Sequence, residues 1–113
     1  MHELGIAAEI LEIALSEAKR HQASRVAEVR LRIGVLRAVE PEHLAFLFHV
    51  LARGTPADGA VVSVEEAPVR VECPLCGVFE SRAAVWTCPR CNGDGIAVAG
   101  GSALDILSID VCA

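Results

Sequence analysis

Hydrophobic positions recur along this chain in two rhythms. From Glu3 to about His21 they follow helical spacing. Leu4, Ala7, Ala8, Leu11, Ala14, Leu15 and Ala18 form one apolar stripe, which Ile6, Ile10 and Ile13 widen. Glu9, Glu12, Ser16, Lys19 and Arg20 fall opposite, so the pattern predicts an amphipathic helix that needs cover over much of its surface. From Ala27 to Ile33 the rhythm becomes strict alternation. Val29, Leu31 and Ile33 share one face and Glu28, Arg30 and Arg32 the other, which predicts a half-buried strand ended by Gly34. Pro41 suits the first turn of a second helix, in which Leu44, Leu47, Phe48 and Leu51 keep i, i+3, i+4, i+7 spacing. Glu42 complements the positive end of that helix, and Gly54 stands where a C-terminal glycine belongs.

Ala60–Glu66 predicts a second strand, with Pro68 at its exit, and Ala103–Val111 a third. The third breaks its own alternation: Leu104 and Ile106 share one phase, Leu107, Ile109 and Val111 the other. A β-bulge near Leu107–Ser108 accommodates both sets, and so does a strand buried on both faces. The order helix, strand, helix, strand, cysteine segment, strand predicts an α+β fold. Two helices pack on a small three-stranded sheet, and a four-cysteine, zinc-ribbon-like module is inserted before the last strand. Residues 1–67 and 102–113 then form the α+β domain and residues 68–101 the module. Gly93, Gly95, Gly100 and Gly101 predict a loose return path from it.

The module is where chemistry first enters. Cys73, Cys76, Cys88 and Cys91 form a C-x₂-C…C-x₂-C set within Val71-Glu-Cys-Pro-Leu-Cys-Gly77 and Trp86-Thr-Cys-Pro-Arg-Cys-Asn92. A two-residue spacer lets a tight turn aim both sulfurs of a pair at one point. The intervening segment is long enough for a short hairpin that turns the second pair towards the first. Four converging thiolates suit tetrahedral Zn²⁺ with Zn–S bonds of about 2.3 Å, and leave no open position, as in a structural site. Pro74, Pro89 and Gly77 help the chain turn so that backbone N–H groups point at the sulfurs. So short a segment buries little core, and metal binding supplies about 10–16 kcal/mol in zinc-finger peptides at neutral pH. Iron in a rubredoxin-like site fits the same ligands, and two disulfides or a redox CxxC are the other readings of the spacing.

Composition narrows the function classes. The chain has 113 residues and a formal net charge of −5, and four metal-bound thiolates would keep it acidic. Nucleic-acid binders normally show a basic face, so this balance argues against one. No apolar run approaches the ~20 residues that span a bilayer. The first residues carry His2, Glu3, Glu9 and Glu12 and lack the basic n-region of a signal peptide. Cysteines spaced for metal, with Cys112 left over, point to a reducing cytoplasm.

Met1-His2-Glu3 can offer a terminal amine, a backbone amide and an imidazole in sequence. Amine and amide close a five-membered chelate ring, and amide and Nδ1 a six-membered one. An ionised amide nitrogen suits square-planar Ni²⁺ or Cu²⁺. Glu3 adds a carboxylate as a further ligand or as a group behind one. His2 is bulky, so Met1 is expected to stay in place. An ordinary start followed by two polar residues accounts for the same letters.

Met1-His2-Glu3-Leu4, Gly34-Val-Leu-Arg-Ala-Val-Glu-Pro-Glu-His-Leu-Ala-Phe-Leu-Phe48, the doubled CPxC set and Leu104-Asp-Ile106…Ile109-Asp-Val111 follow one another along the chain. Together they resemble the HypA/HybF family of nickel-insertion proteins for [NiFe]-hydrogenase maturation. The resemblance covers essentially the whole chain. It implies a nickel site at Met1, His2 and Glu3, with Glu40 near enough to assist, and structural zinc at the four cysteines. It also implies a nickel metallochaperone, with a HypB-type GTPase and the hydrogenase large-subunit precursor as partners. Some relatives also serve urease. A monomer or weak homodimer in the cytoplasm is expected.

The remaining candidates read as structural. His21 suits a helix C-terminus, His49 points off the apolar stripe, and His43 sits at its edge as the alternative nickel ligand. Cys112 reads as a small edge-strand residue or free thiol, and Trp86 and Phe79 as the module's own apolar core. No nucleophile–base set is visible, so no catalytic residue is expected. A zinc-ribbon adaptor without a nickel role and a redox protein using the CxxC pairs stand as the competing readings.

Overall fold

The computed structural model describes residues 2–113. It has two helices, α1 (His2–Arg20) and α2 (Pro41–Ala52), and six strands. The strands are β1 (Arg25–Gly34), β2 (Val61–Ala67), β3 (Val69–Cys73), β4 (Gly77–Ser81), β5 (Ala97–Gly100) and β6 (Leu104–Cys112). A 3₁₀ turn at Val35–Arg37 follows β1. One sheet has the order β2-β1-β6 and the other β4-β3-β5. The expected α+β class, with two helices, a three-stranded sheet and a four-cysteine module, is the observed one. The second sheet is an addition. Alternation at Val69, Val71 and Cys73 marks β3, whereas the sequence reading placed only a short hairpin between the two cysteine pairs.

The chain divides into two compact units. The first holds the residues up to Leu31, Val39–Glu65 and Asp105–Ala113, and the second Arg32–Ala38 and Glu66–Leu104. In the first, α1 packs on α2. Its core is Ile6, Ala7, Ile10, Leu11, Ala14 and Ala18 of α1, Val26, Val29 and Leu31 of β1, and Leu44 and Phe48 of α2. The buried stripe of α1 is therefore centred on Ala7 and Ala14 of the expected stripe, and it extends over Ile10 to Ile6 on one side while Leu4, Ala8 and Leu15 on the other are not buried. Leu4 and Ile13 remain about two-fifths exposed, at 43% and 41%. Phe48 is 1% exposed, and burying so large a ring contributes about 3 kcal/mol by area.

Local chemistry sets the helix ends. Arg53 is the C-cap of α2, and Gly54 follows at φ 76°, donating its N–H to Asp58 Oδ2 at 3.0 Å. At the end of α1, Ala23 N–H reaches Ala18 O (2.8 Å) and Gln22 N–H reaches Lys19 O (3.1 Å), with Gln22 at φ 56°. This is a Schellman closure carried by a glutamine, so no glycine announced it.

In the second unit β3 is central. Val69, Val71 and Cys73 are buried and alternate with exposed Arg70 and Glu72. Of the return glycines Gly95 has open space around it, but Gly101 is closely packed. Gly101, at φ 77°, lies so close to Val69 and Leu36 that an added Cβ would overlap Val69 Cγ1 and sit 2.9 Å from Leu36 Cγ. A Cβ on Gly34 would overlap the Gly101 carbonyl. That approach lets Gly34 N–H donate to Ala103 O (2.8 Å), Leu36 N–H to Gly101 O (2.7 Å) and Arg37 Nε–H to Ser102 O (2.9 Å). The half-buried positions of β6 run Leu104, Ile106, Ser108 and then Ile109, Val111. The phase shifts by one residue at Ser108–Ile109, and Leu107 lies on the exposed side.

Candidate functional site

Cys73 closes β3 directly opposite Gly77, which opens β4 at φ 92°, so Pro74, Leu75 and Cys76 form the tip of a tight hairpin. The second pair turns by the same logic. Asn92 N–H donates to Cys88 O (2.8 Å) with Asn92 at φ 60°, Cys88 N–H donates to Gly93 O (2.8 Å), and Arg90 N–H donates to Cys88 Sγ at 3.4 Å. Both turns aim their sulfurs inward, and all four Sγ atoms lie within 4.8 Å of one another. Cys73 and Cys91 Sγ are 3.8 Å apart. A tetrahedron with 2.3 Å arms has edges of about 3.8 Å, so the donor set fits a four-coordinate ion. All five cysteines are free thiols.

The electrostatics agree with that geometry. Desolvation, then hydrogen bonding with Cys88 and the other thiols, pushes Cys76 up to about 12. The Cys91 N–H, opposed by desolvation and joined by the Arg90 N–H, brings Cys88 down to about 7. At Cys91 the Gly93 N–H lowers the thiol, but crowding by Cys88 and Cys73 prevails and raises it. Four thiolates cannot all ionise in so small a volume without a cation, and a bound cation reverses that penalty.

Phe79 is half-buried with the Arg90 guanidinium 5.1 Å above its ring. Trp86 is not core: it is 83% exposed, and Leu75 is 86% exposed. Their neighbours in the motif are turn residues, whose backbone is spent on aiming sulfurs and leaves no pocket for a large ring.

At the other end of the sequence, His2 is the first residue of α1 and its imidazole is half-exposed. The first four N–H groups of a helix have no intrahelical acceptor, so the His2 amide is not committed to the helix. His2 Nδ1 lies 3.7 Å from Glu3 Oε1, and the Glu3 side chain is only 14% exposed. The Glu3 carboxyl is held below its ordinary value of 4.5. The cause is first its own backbone N–H, opposed by desolvation and helped by the Glu40 N–H and the His2 and His43 imidazoles. Met1 lies outside the described residues, and with it the proposed amine. The Glu40 carboxylate is turned into α2 as its N-cap, accepting from Glu42 N–H (3.3 Å) and His43 N–H (2.8 Å). Sequence reading placed Glu40 near this site but missed its cap and the approach of His43 to Glu3. The Glu40-Pro41-Glu42-His43 run at a helix start was the available signal.

The other histidines and Cys112 serve structure. His21 Nε2 lies 3.5 Å from Glu17, His49 Nε2 lies 2.8 Å from Ala60 O, and Cys112 Sγ is 3.6 Å from Arg25. Among the described residues, the four cysteines are the one converged set of three or more such donors.

The family described as "Hydrogenase/urease nickel incorporation, metallochaperone, hypA" matches residues 1–111. The chain belongs to the HypA family. The HypA hydrogenase maturation factor of Chloroflexus aurantiacus is 38% identical over 112 residues, covering 97% of this chain and 98% of that protein. The HypA factor of Escherichia coli K12 is 33% identical over 113 residues, covering 98% and 97%. The fold is likewise that of HypA. A solution structure of a HypA protein aligns with TM-score 0.69 at 22% identity over 98% of this chain and 96% of that one. The solution structure of the nickel metallochaperone HypA from Helicobacter pylori aligns with TM-score 0.65 at 21% identity over 98% and 97%. Membership in HypA assigns the chain to hydrogenase maturation and gives its cysteine cluster the setting of a nickel-handling protein. Among the described residues no helix is long and apolar enough to cross a membrane.

Proposed function

We propose that this chain is a cytoplasmic nickel metallochaperone. It takes Ni²⁺ at the Met1 amine, the His2 amide and the His2 imidazole, and passes it to the large-subunit precursor of a [NiFe]-hydrogenase. The observation that carries this reading is the start of α1 in a nickel-incorporation family. His2 stands on an uncommitted helix N-terminus beside a Glu3 carboxylate held ionised. A helix N-terminus repels cations, and the negative charge of Glu3 and of the ionised amide offsets that field. Glu3 supports the imidazole from 3.7 Å, and Glu40 assists through its backbone N–H, with its carboxylate available only by leaving the α2 cap. A site assembled from a chain end and one side chain releases its cargo more readily than an enclosed one. A HypB-type GTPase is the expected partner in that transfer.

Residues 1–67 and 102–113 then act as the nickel-binding domain, and residues 68–101 as a structural module holding zinc at Cys73, Cys76, Cys88 and Cys91. Zinc supplies charge neutralisation and a cross-link there, and no step of nickel transfer runs through it. The test is calorimetric Ni²⁺ titration of protein with its native start, beside His2→Ala. Loss of tight binding with unchanged zinc supports the reading, and unchanged affinity refutes it. The exposed Leu75 and Trp86 favour one further role, contact of the module with a partner protein. A zinc-ribbon adaptor without nickel would keep partner binding in Leu75→Ser less well than in His2→Ala, and would bind no nickel in either.

A further inference from the structure

β6 is an edge strand of the β2-β1-β6 sheet, nine residues long. Its only charged residues are Asp105 and Asp110. Edge strands are ordinarily blunted by lysine, proline or brevity, because a row of unpaired backbone groups templates strand addition. β6 has no lysine or proline. Along it runs a groove of about 380 Å³ whose far wall is α1, with an apolar floor of Ile13, Ile106, Ile109 and Val111. Ser108 opens onto the same groove. Its Oγ is buried and has no hydrogen-bond partner among the described residues, which costs about 1–3 kcal/mol unless a partner arrives. A second hollow of about 390 Å³ continues the first along α1, sharing Ile13 and Glu17 and adding Glu9 and Glu12. Glu17 is already engaged by Arg20 at 2.9 Å and His21 at 3.5 Å, and on the face of β6 turned away from the groove the exposed carboxylates are Asp105 and Asp110.

We infer that this trough is a docking site for an extended segment of a partner protein that alternates apolar and basic residues and adds to the sheet beside β6. Backbone pairing along β6 supplies the affinity, alternate apolar side chains fill the floor on the α1 side, and the intervening basic side chains, turned to the opposite face, meet the exposed Asp105 and Asp110. A second copy of this chain is the poorer occupant. With a net charge of −5, it would bring the same aspartates and glutamates to one seam. The inference does not depend on the nickel site, which lies at other residues.

The experiment uses ¹⁵N-labelled protein of the full chain and a short acetylated peptide alternating valine and lysine. Binding is expected to shift Ile13 and slow amide exchange at alternate residues of β6. Asp105→Lys and Asp110→Lys, both exposed, are each expected to weaken it about fivefold. N-methylation of alternate peptide amides is expected to abolish it, as main-chain pairing requires. Absence of binding overturns the inference, and so does equal binding of a valine–glutamate peptide or of the N-methylated one. Shifts confined to α1 without β6 protection would mean a helical ligand, and protection that grows with protein concentration alone would mean self-association. Either of those also overturns it.

Discussion

At the scale of single residues, protonation decides what each metal site can do. Glu3 has a folded value below its ordinary 4.5, so it stabilises the fold above that value, and this contribution is lost as pH falls through the depressed one. The carboxylate beside His2, at the proposed nickel site, thus stays charged in mild acid. An apparent Ni²⁺ affinity that still falls on mild acidification is then a property of His2 and of the amine and amide. Glu3→Gln is expected to weaken binding, by less than His2→Ala, and to flatten that fall only at the acid end of a pH series. Two thiols of the cysteine cluster shift in the other sense. Cys76 and Cys91 are raised, so both are protonated in the metal-free protein at neutral pH, and zinc must expel both protons. Titration of metal-free protein in buffers of different ionisation enthalpy should show at least two protons released per zinc. Release of fewer than one would contradict the crowded-thiol account. Glu40 has a nearer consequence: Glu40→Ala removes both acceptors at the start of α2 and should cost about 1 kcal/mol, read from urea unfolding.

At the scale of elements, the helices and the first sheet were legible because each is written in one period. Val29, Leu31 and Ile33 alternate without a break and are all buried, and Leu44 with Phe48 keeps helical spacing into the core. Phe48→Ala should therefore cost about 3–5 kcal/mol and lower the thermal midpoint sharply, with cysteine metal content unchanged. What was not legible depends on partners distant in sequence. The burial of Ile6 and Ile10 over Leu4 is decided by what α1 packs against, and six apolar neighbours on one helix leave its centre ambiguous. The second sheet was hidden because β4 and β5 are four or five residues long and mostly exposed, so neither carries an apolar rhythm. The glycines misled in a physical way. Composition cannot distinguish a glycine kept for flexibility from one kept because another backbone occupies the place of its Cβ, as at Gly34 and Gly101. Gly34→Ala is expected to destabilise by about 1–3 kcal/mol through overpacking, measured by denaturation.

At the scale of the whole molecule, a chain of 113 residues maintains two compact units by different means, one by a helix–sheet core and one by a small sheet closed around four sulfurs. Cys73→Ser with Cys88→Ser should lower zinc content to near zero, while the helical signal, which comes from α1 and α2, largely persists. The cysteine site was readable in the sequence because spacing alone specifies it. The proposed nickel site rests in the sequence on a chelate pattern and a resemblance alone, and the field that His43 and the Glu40 N–H exert on Glu3 depends on how these residues meet in space. The proposed function turns on joint binding of Ni²⁺ by the N-terminal amine, the His2 amide and the His2 imidazole. Calorimetric Ni²⁺ titration of three proteins with intact zinc tests this most directly: the parent with an authentic Met1, His2→Ala, and the parent extended by one residue at its N-terminus. The account expects tight binding in the parent alone, with zinc content and helical signal equal in all three. Parent-like affinity in His2→Ala would contradict it and move the site elsewhere, with His43 the next ligand to test.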